Sequence, residues 1–139
     1  MNITWKTELD PVSFIAGDYQ EFEYDIVDVE TGKPVDLRAA TELKMALFRW
    51  GHNDTPAVVV NGFRVAVDGV ESAFKVILDS KITAELSGFY IQQPILVDST
   101  GKIFRPGQGT VNVIPRAYEE NAVINATNQE ARASSVYYS

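Results

Sequence analysis

The chain reads as an all-β protein: an antiparallel β-sandwich of about eight short strands over residues 1–115, then an extended or partly helical C-terminal arm over 116–139. Three observations predict this. From Gln20 the residues alternate strictly, with Phe22, Tyr24 and Ile26 on one side and Glu21, Glu23 and Asp25 on the other. A period of two means one buried and one solvated face of a strand. Turn-forming clusters (Gly17-Asp18, Thr31-Gly32-Lys33-Pro34, Asn61-Gly62, Asp68-Gly69, Thr100-Gly101-Lys102) punctuate the chain at short intervals. Apolar residues make up 45% of 139, enough for a real core and too many for a disordered chain.

Taken in order, Ile3 to Leu9 forms a first strand with Ile3 and Trp5 on one side, and Pro11 ends it. Gly17-Asp18 turns the chain into the Phe22/Tyr24/Ile26 strand. Glu30 to Pro34 is a turn in which Gly32 supplies a positive φ. Val35-Asp36-Leu37 is a short crossing anchored by Leu37. Glu42 to Trp50 alternates again, with Leu43, Met45 and Leu47 facing one way and Lys44, Ala46, Phe48 and Trp50 the other. Ala39, Ala40, Leu43 and Leu47 also sit at helical spacing, but the neighbouring β signals favour a strand.

After a loop over Gly51–Pro56, Ala57–Val60 and Phe63–Val67 read as a hairpin about Asn61-Gly62, the dipeptide best suited to a type I′ turn. Asp68-Gly69 then leads into a strand over Ala73–Leu78, with Phe74, Val76 and Leu78 inward. A short connection from Asp79 returns the chain at Gly88-Phe89-Tyr90, with Tyr90 as a structural corner that hydrogen-bonds back to that connection. The closing hairpin runs through Asp98-Ser99-Thr100-Gly101-Lys102 and ends at Ile114-Pro115. This turn echoes Val29-Glu30-Thr31-Gly32-Lys33, and both read as hairpin bulges, which Gly-Lys after small polar residues suits.

The strand after Tyr90 is apolar on both sides. Gln92, Pro94 and Leu96 share the Tyr90 face, whereas Phe89, Ile91, Ile95 and Val97 make the other more apolar. Either Pro94 marks a bulge that switches the phase, or both faces are covered. Phe48 and Trp50 raise the same question. The expectation is a sheet packed against a partner subunit through Phe48, Trp50, Phe89, Ile91 and Ile95, with Val123, Val136, Tyr137 and Tyr138 of the arm contributing.

Catalytic and cofactor chemistry has little to build on. There is no cysteine and a single histidine, His52, in a Gly/Asn/Asp loop, so zinc sites of the usual kinds and thiolate nucleophiles are out of reach. No Gly-x-Ser-x-Gly elbow is present. Gly107-Gln108-Gly109 leads into a strand where a phosphate loop would need a helix. The acidic row Asp18, Glu21, Glu23, Asp25, Asp28 and Glu30 is the best metal candidate, but Glu21, Glu23 and Asp25 stand in line along a strand, a solvated face and not a converging site. A net charge of −7 argues against nucleic acid. No apolar run nears the roughly 20 residues that span a bilayer, and Met1 to Lys6 has no signal-peptide pattern. The expectations are no enzyme, no cofactor, no metal and synthesis in a cytoplasm.

With these residues in place, the chain resembles the immunoglobulin-like domain of tailed-phage structural proteins, such as the N-terminal domain of baseplate upper proteins. The matching parts are Gly17-Asp18 with the Phe22/Tyr24/Ile26 strand, Gly32 to Leu37, Leu78-Asp79 with Gly88-Phe89-Tyr90, and Leu96 to Lys102 closing at Gly109–Pro115. The resemblance spans about residues 15 to 115 and is a pattern of turns and alternation. It implies a virion building block, homo-oligomeric in the particle, in which the sandwich is a rigid spacer that docks through its C-terminal arm and the apolar outer positions on portal, tail, baseplate or capsid subunits. Baseplate upper proteins continue into a long C-terminal part, so at 139 residues the resemblance points to a small adaptor, a neck or tail protein, a head decoration or a fibre base. An alternative from another class is a carbohydrate-binding module, with Trp5, Phe48 and Trp50 stacking on sugars. A sandwich-fold enzyme is a third, for which the chain offers no acid/base pair.

Overall fold

A computed structural model describes residues 7–116. Its elements are β1 (Thr7–Glu8), β2 (Val12–Ile15), β3 (Gln20–Asp25), a 3-10 turn (Leu37–Ala39), β4 (Ala40–Arg49), β5 (Val58–Val67), β6 (Val70–Leu78), α1 (Ser80–Ala84), β7 (Gly88–Asp98), β8 (Ile103–Phe104) and β9 (Gly107–Ile114). The protein is all-β. Its hydrogen-bonded strands follow the order β1-β9-β7-β4-β5-β6-β3, with β2 also on β9 and β8 on β7.

β3 is the strand that the alternation predicts. Phe22, Tyr24 and Ile26 are buried, and Glu21, Glu23 and Asp25 point outward. β4 is a strand and not a helix, with Leu43, Met45 and Leu47 in the core. The crossing at Leu37 is a single 3-10 turn capped by Asp36, whose carboxylate accepts from Arg38 N, and Leu37 is wholly buried.

Two expectations are corrected by the pairing. Asn61-Gly62 is not a turn: β5 runs straight through it. Up to Asn61 the strand pairs with β4, and from Gly62 it pairs with β6. At Gly62 a Cβ would lie 2.8 Å from both the Lys75 carbonyl oxygen and Phe74 Cδ2, so only glycine lets the strand pass that close. The type I′ geometry belongs to Asp68-Gly69, where φ is +52° and +83° and Val67 pairs with Val70. The described residues hold nine strands, in keeping with about eight: Val12–Ile15, unremarked in the sequence, forms β2, the two strands expected about Asn61-Gly62 are one, and the last strand divides into β8 and β9. β1 and β2 lie parallel to β9, so the sheet is not purely antiparallel. Of the strand expected over Ile3 to Leu9, Thr7–Glu8 forms β1, and residues 1–6 lie outside the described part.

β7 keeps one phase along its length. Tyr90, Gln92, Pro94 and Leu96 are all buried, and the register against β4 is unbroken from Leu43/Leu96 to Arg49/Tyr90. Pro94 is no bulge. It falls between the stretch paired with β9, which ends at Gln92, and the stretch paired with β8, which begins at Leu96. A residue without an N–H is tolerated at such a break in the ladder.

The strand path folds back so that its inward faces share one core. Phe14, Phe22, Tyr24 and Phe74 form a chain of ring contacts there. Tyr24 of β3 donates a 2.6 Å hydrogen bond to Gln92 Oε1 of β7, strands separated in the path by β4, β5 and β6. Burial pushes the Tyr24 hydroxyl above its ordinary pKa. At one end, Asp79 caps α1 by accepting from Ile82 N. Thr83 ties that helix to the Gly17-Asp18 turn, accepting from Gly17 N and donating to the Asp18 carbonyl. The Tyr90 hydroxyl accepts from Ser87 N at 3.0 Å and from Arg49 Nη2 at 3.2 Å.

Both echoing turns are built alike. Asp28 accepts from Glu30 N, and Asp98 accepts from Thr100 N, Thr100 Oγ1 and Lys102 N, each with a glycine at positive φ (Gly32, Gly101). These Asx turns account for the repeated Gly-Lys pattern.

Candidate protein-interaction surface

The outward face of β4 and β7 concentrates apolar side chains. In the antiparallel register Phe48 stands opposite Ile91 and Lys44 opposite Ile95, with Ala46 opposite Gln93 between them. The ladder extends one step past Arg49: Trp50 N donates to the Phe89 carbonyl at 3.0 Å, which places the two residues opposite each other across the strands. Trp50 and Phe89 are each 60% exposed. Phe48, Ile91 and Ile95 are half-buried.

The five residues that the sequence singled out in this part of the chain therefore meet on one face. Tyr90, the corner residue, points to the opposite side, into the core. Val123, Val136, Tyr137 and Tyr138 lie outside the described residues, as does Trp5.

The pairing adds members that sequence reasoning missed. Val59 of β5 pairs with Ala46 and is 47% exposed. Ile103 of β8 pairs with Val97 and is 54% exposed. Val59 lies in a strand legible in the sequence, but three successive valines, Val58 to Val60, show no alternation that would tell its face. Ile103 had no cue either: Phe104 follows it directly, and two adjacent apolar residues after a turn do not tell which one faces out. Ala46, though on the outer side, is only 1% exposed.

Charge on this face is sparse and balanced. Lys44 Nζ lies 3.2 Å from Glu42 Oε1. The outward face of β3 and β6 differs: Glu21, Glu23 and Asp25 line one strand, with Lys75 reaching Glu21 at 3.2 Å and Glu23 at 3.8 Å. The Lys75 hydrogen bond, helped by one from Tyr19, holds the Glu21 carboxyl below its usual range. Among the described residues no three His, Asp or Glu side chains gather as metal ligands, and no helix is long and apolar enough to cross a membrane.

A cavity of about 390 Å³ opens at the end of the sheet beside α1, over Val58, Ile82, Leu86 and Tyr90, with Arg49 and Lys81 at its rim. Arg49 is already engaged there, its guanidinium 5.2 Å from the Tyr90 ring centre and bonded to the hydroxyl. His52 lies in the exposed loop after β4.

In comparisons with known proteins, no family model and no curated protein matches the chain.

Proposed function

We propose that this chain is a non-enzymatic structural protein of a tailed-phage particle: an immunoglobulin-like sandwich module, assembled into the virion from the host cytoplasm, that docks on other virion subunits. The contiguous apolar outer face of β4 and β7, with Trp50 and Phe89 opposite each other across the strands and each 60% exposed, carries the docking part. A soluble domain rarely leaves such a patch uncovered unless something binds it. The virion assignment rests on the resemblance of the turn pattern. A two-layer sandwich is supported by the N-terminal strands running parallel to the last strand, by β5 changing partner from β4 to β6, and by the Tyr90 bond to Ser87. The portal, tail, baseplate and capsid subunits are the partner classes, with residues 116–139 as a second docking element.

The test is incorporation. Tagged protein is followed through a density gradient of particles from a lysed, infected culture. Wild-type chain should band with particles, and Trp50→Ser/Phe89→Ser should lower that signal about tenfold or more without loss of folding. Wild-type protein left wholly in the soluble fraction would sink the proposal.

The two exposed rings, Trp50 and Phe89, also favour a second reading, a carbohydrate-binding platform. Retention on host cell-wall glycan, lost on Trp50→Ala, would select it.

A further inference from the structure

Resting on the docking face just described, we infer that its occupant is a second copy of this chain, packed sheet face to sheet face about a two-fold axis. Area is the first argument. At 60% exposure, Trp50 and Phe89 each present roughly 100–150 Å². With Val59, Ile103 and the half-buried Phe48, Ile91, Ile95 and Val97, the face offers on the order of 600 Å² of apolar surface. Two such faces reach about 1,200 Å², where specific interfaces begin.

Charge is the second. The chain carries a net −7, so two copies repel unless they meet on neutral ground. Between Glu42 and Trp50 on β4, and between Phe89 and Val97 on β7, the only outward charges are the paired Glu42 and Lys44. The acidic β3 face would oppose its own copy, and a basic partner would be drawn there and not to β4 and β7.

Self-complementarity is the third. A two-fold axis crossing the strands at the Ala46–Gln93 row sets Phe48 and Ile91 of one copy over Lys44 and Ile95 of the other. Trp50 and Phe89 then fall over Glu42 and Val97, since rows on one face repeat every ~7 Å along a strand. Ala46 leaves a low centre. Gln93 lies at the axis, and its carboxamide both donates and accepts, so the two copies can pair there.

Sedimentation equilibrium on the full chain tests this. The wild type should show twice the 15.4 kDa chain mass at concentrations up to about 100 µM. Trp50→Ser/Phe89→Ser should weaken association by about 100-fold or more, with unchanged circular dichroism. Gln93→Glu, which sets two carboxylates together at the axis, should weaken it as well. Phe63→Ser, on the outer side of β5 where it pairs with Lys75, should leave the mass unchanged. A monomeric wild type, or a dimer insensitive to the Trp50/Phe89 change, overturns the inference. These results are separable from incorporation: a monomer that still enters particles through Trp50 and Phe89 keeps the docking proposal, and a dimer absent from particles keeps only the second-copy interface.

Discussion

Tyr24→Phe removes one oxygen and should cost more than an ordinary hydrogen bond. The Tyr24 hydroxyl donates at 2.6 Å to Gln92 Oε1, both residues are buried, and Gln92 Nε2 has no hydrogen-bond partner among the described residues. Losing the bond itself removes about 1 kcal/mol, and stranding a buried carbonyl oxygen adds about 1–2 kcal/mol. The sum is ~2–3 kcal/mol, a fall in melting temperature of roughly 6–10 °C for a domain of this size. Gln92→Leu alone strands the Tyr24 hydroxyl and should cost about 1–2 kcal/mol, softened by the apolar replacement. The double variant strands nothing, because both polar groups leave together. Its stability should return to within about 1 kcal/mol of wild type, giving a coupling energy of at least about 2 kcal/mol. Urea unfolding of the four proteins closes the cycle. Additive losses would refute the reasoning, showing that the two groups are not each other's partner. The same burial predicts a pH effect. With its folded pKa raised, Tyr24 contributes stability that is fully present below the unfolded value of about 10 and is lost as pH rises above it. Tyr24→Phe should flatten that alkaline loss.

Gly62→Ala should destabilise by about 1–3 kcal/mol in thermal melts, since the added Cβ meets a backbone carbonyl at 2.8 Å; this outweighs the ~0.5–1 kcal/mol that replacing a strand glycine usually returns. A neutral or stabilised variant would mean that β5 does not pass β6 so closely. Tyr90→Phe should cost about 1–2 kcal/mol by leaving Ser87 N–H without its acceptor, and amide exchange at Ser87 should accelerate while β3 amides hold. On the acid side, hydrogen bonds from Lys75 to Glu21, from Arg38 to Asp36 and from Thr100 to Asp98 hold these carboxyls low. Their stabilisation is present above the ordinary carboxylate range near pH 4 and is lost as pH falls through the lowered values. Asp98→Asn should shrink the acid-induced loss measured by urea midpoints between about pH 5 and 2; an unchanged profile would remove Asp98 from the account.

Local chemistry was enough where a segment's answer lay in its own residues. The Phe22/Tyr24/Ile26 alternation gave β3, Gly32 and Gly101 marked two Asx turns, and Gly88-Phe89-Tyr90 marked the return into the core. The apolar positions at Phe48, Trp50, Phe89, Ile91 and Ile95 were also visible before any pairing was known. What strand pairing alone decided was which of these residues meet. A two-residue period says that a side chain faces out, not which strand lies beside it, so the register of β4 on β7 was needed to set Trp50 against Phe89 and bring in Val59 and Ile103. Asn61-Gly62 shows the same limit. The dipeptide suits a tight turn and a crowded strand crossing equally, because both need a residue without a Cβ; the carbonyl of Lys75, thirteen residues on, selects the crossing. The buried Tyr24–Gln92 bond depends likewise on two halves of the chain folding over one core, a proximity that no local pattern encodes.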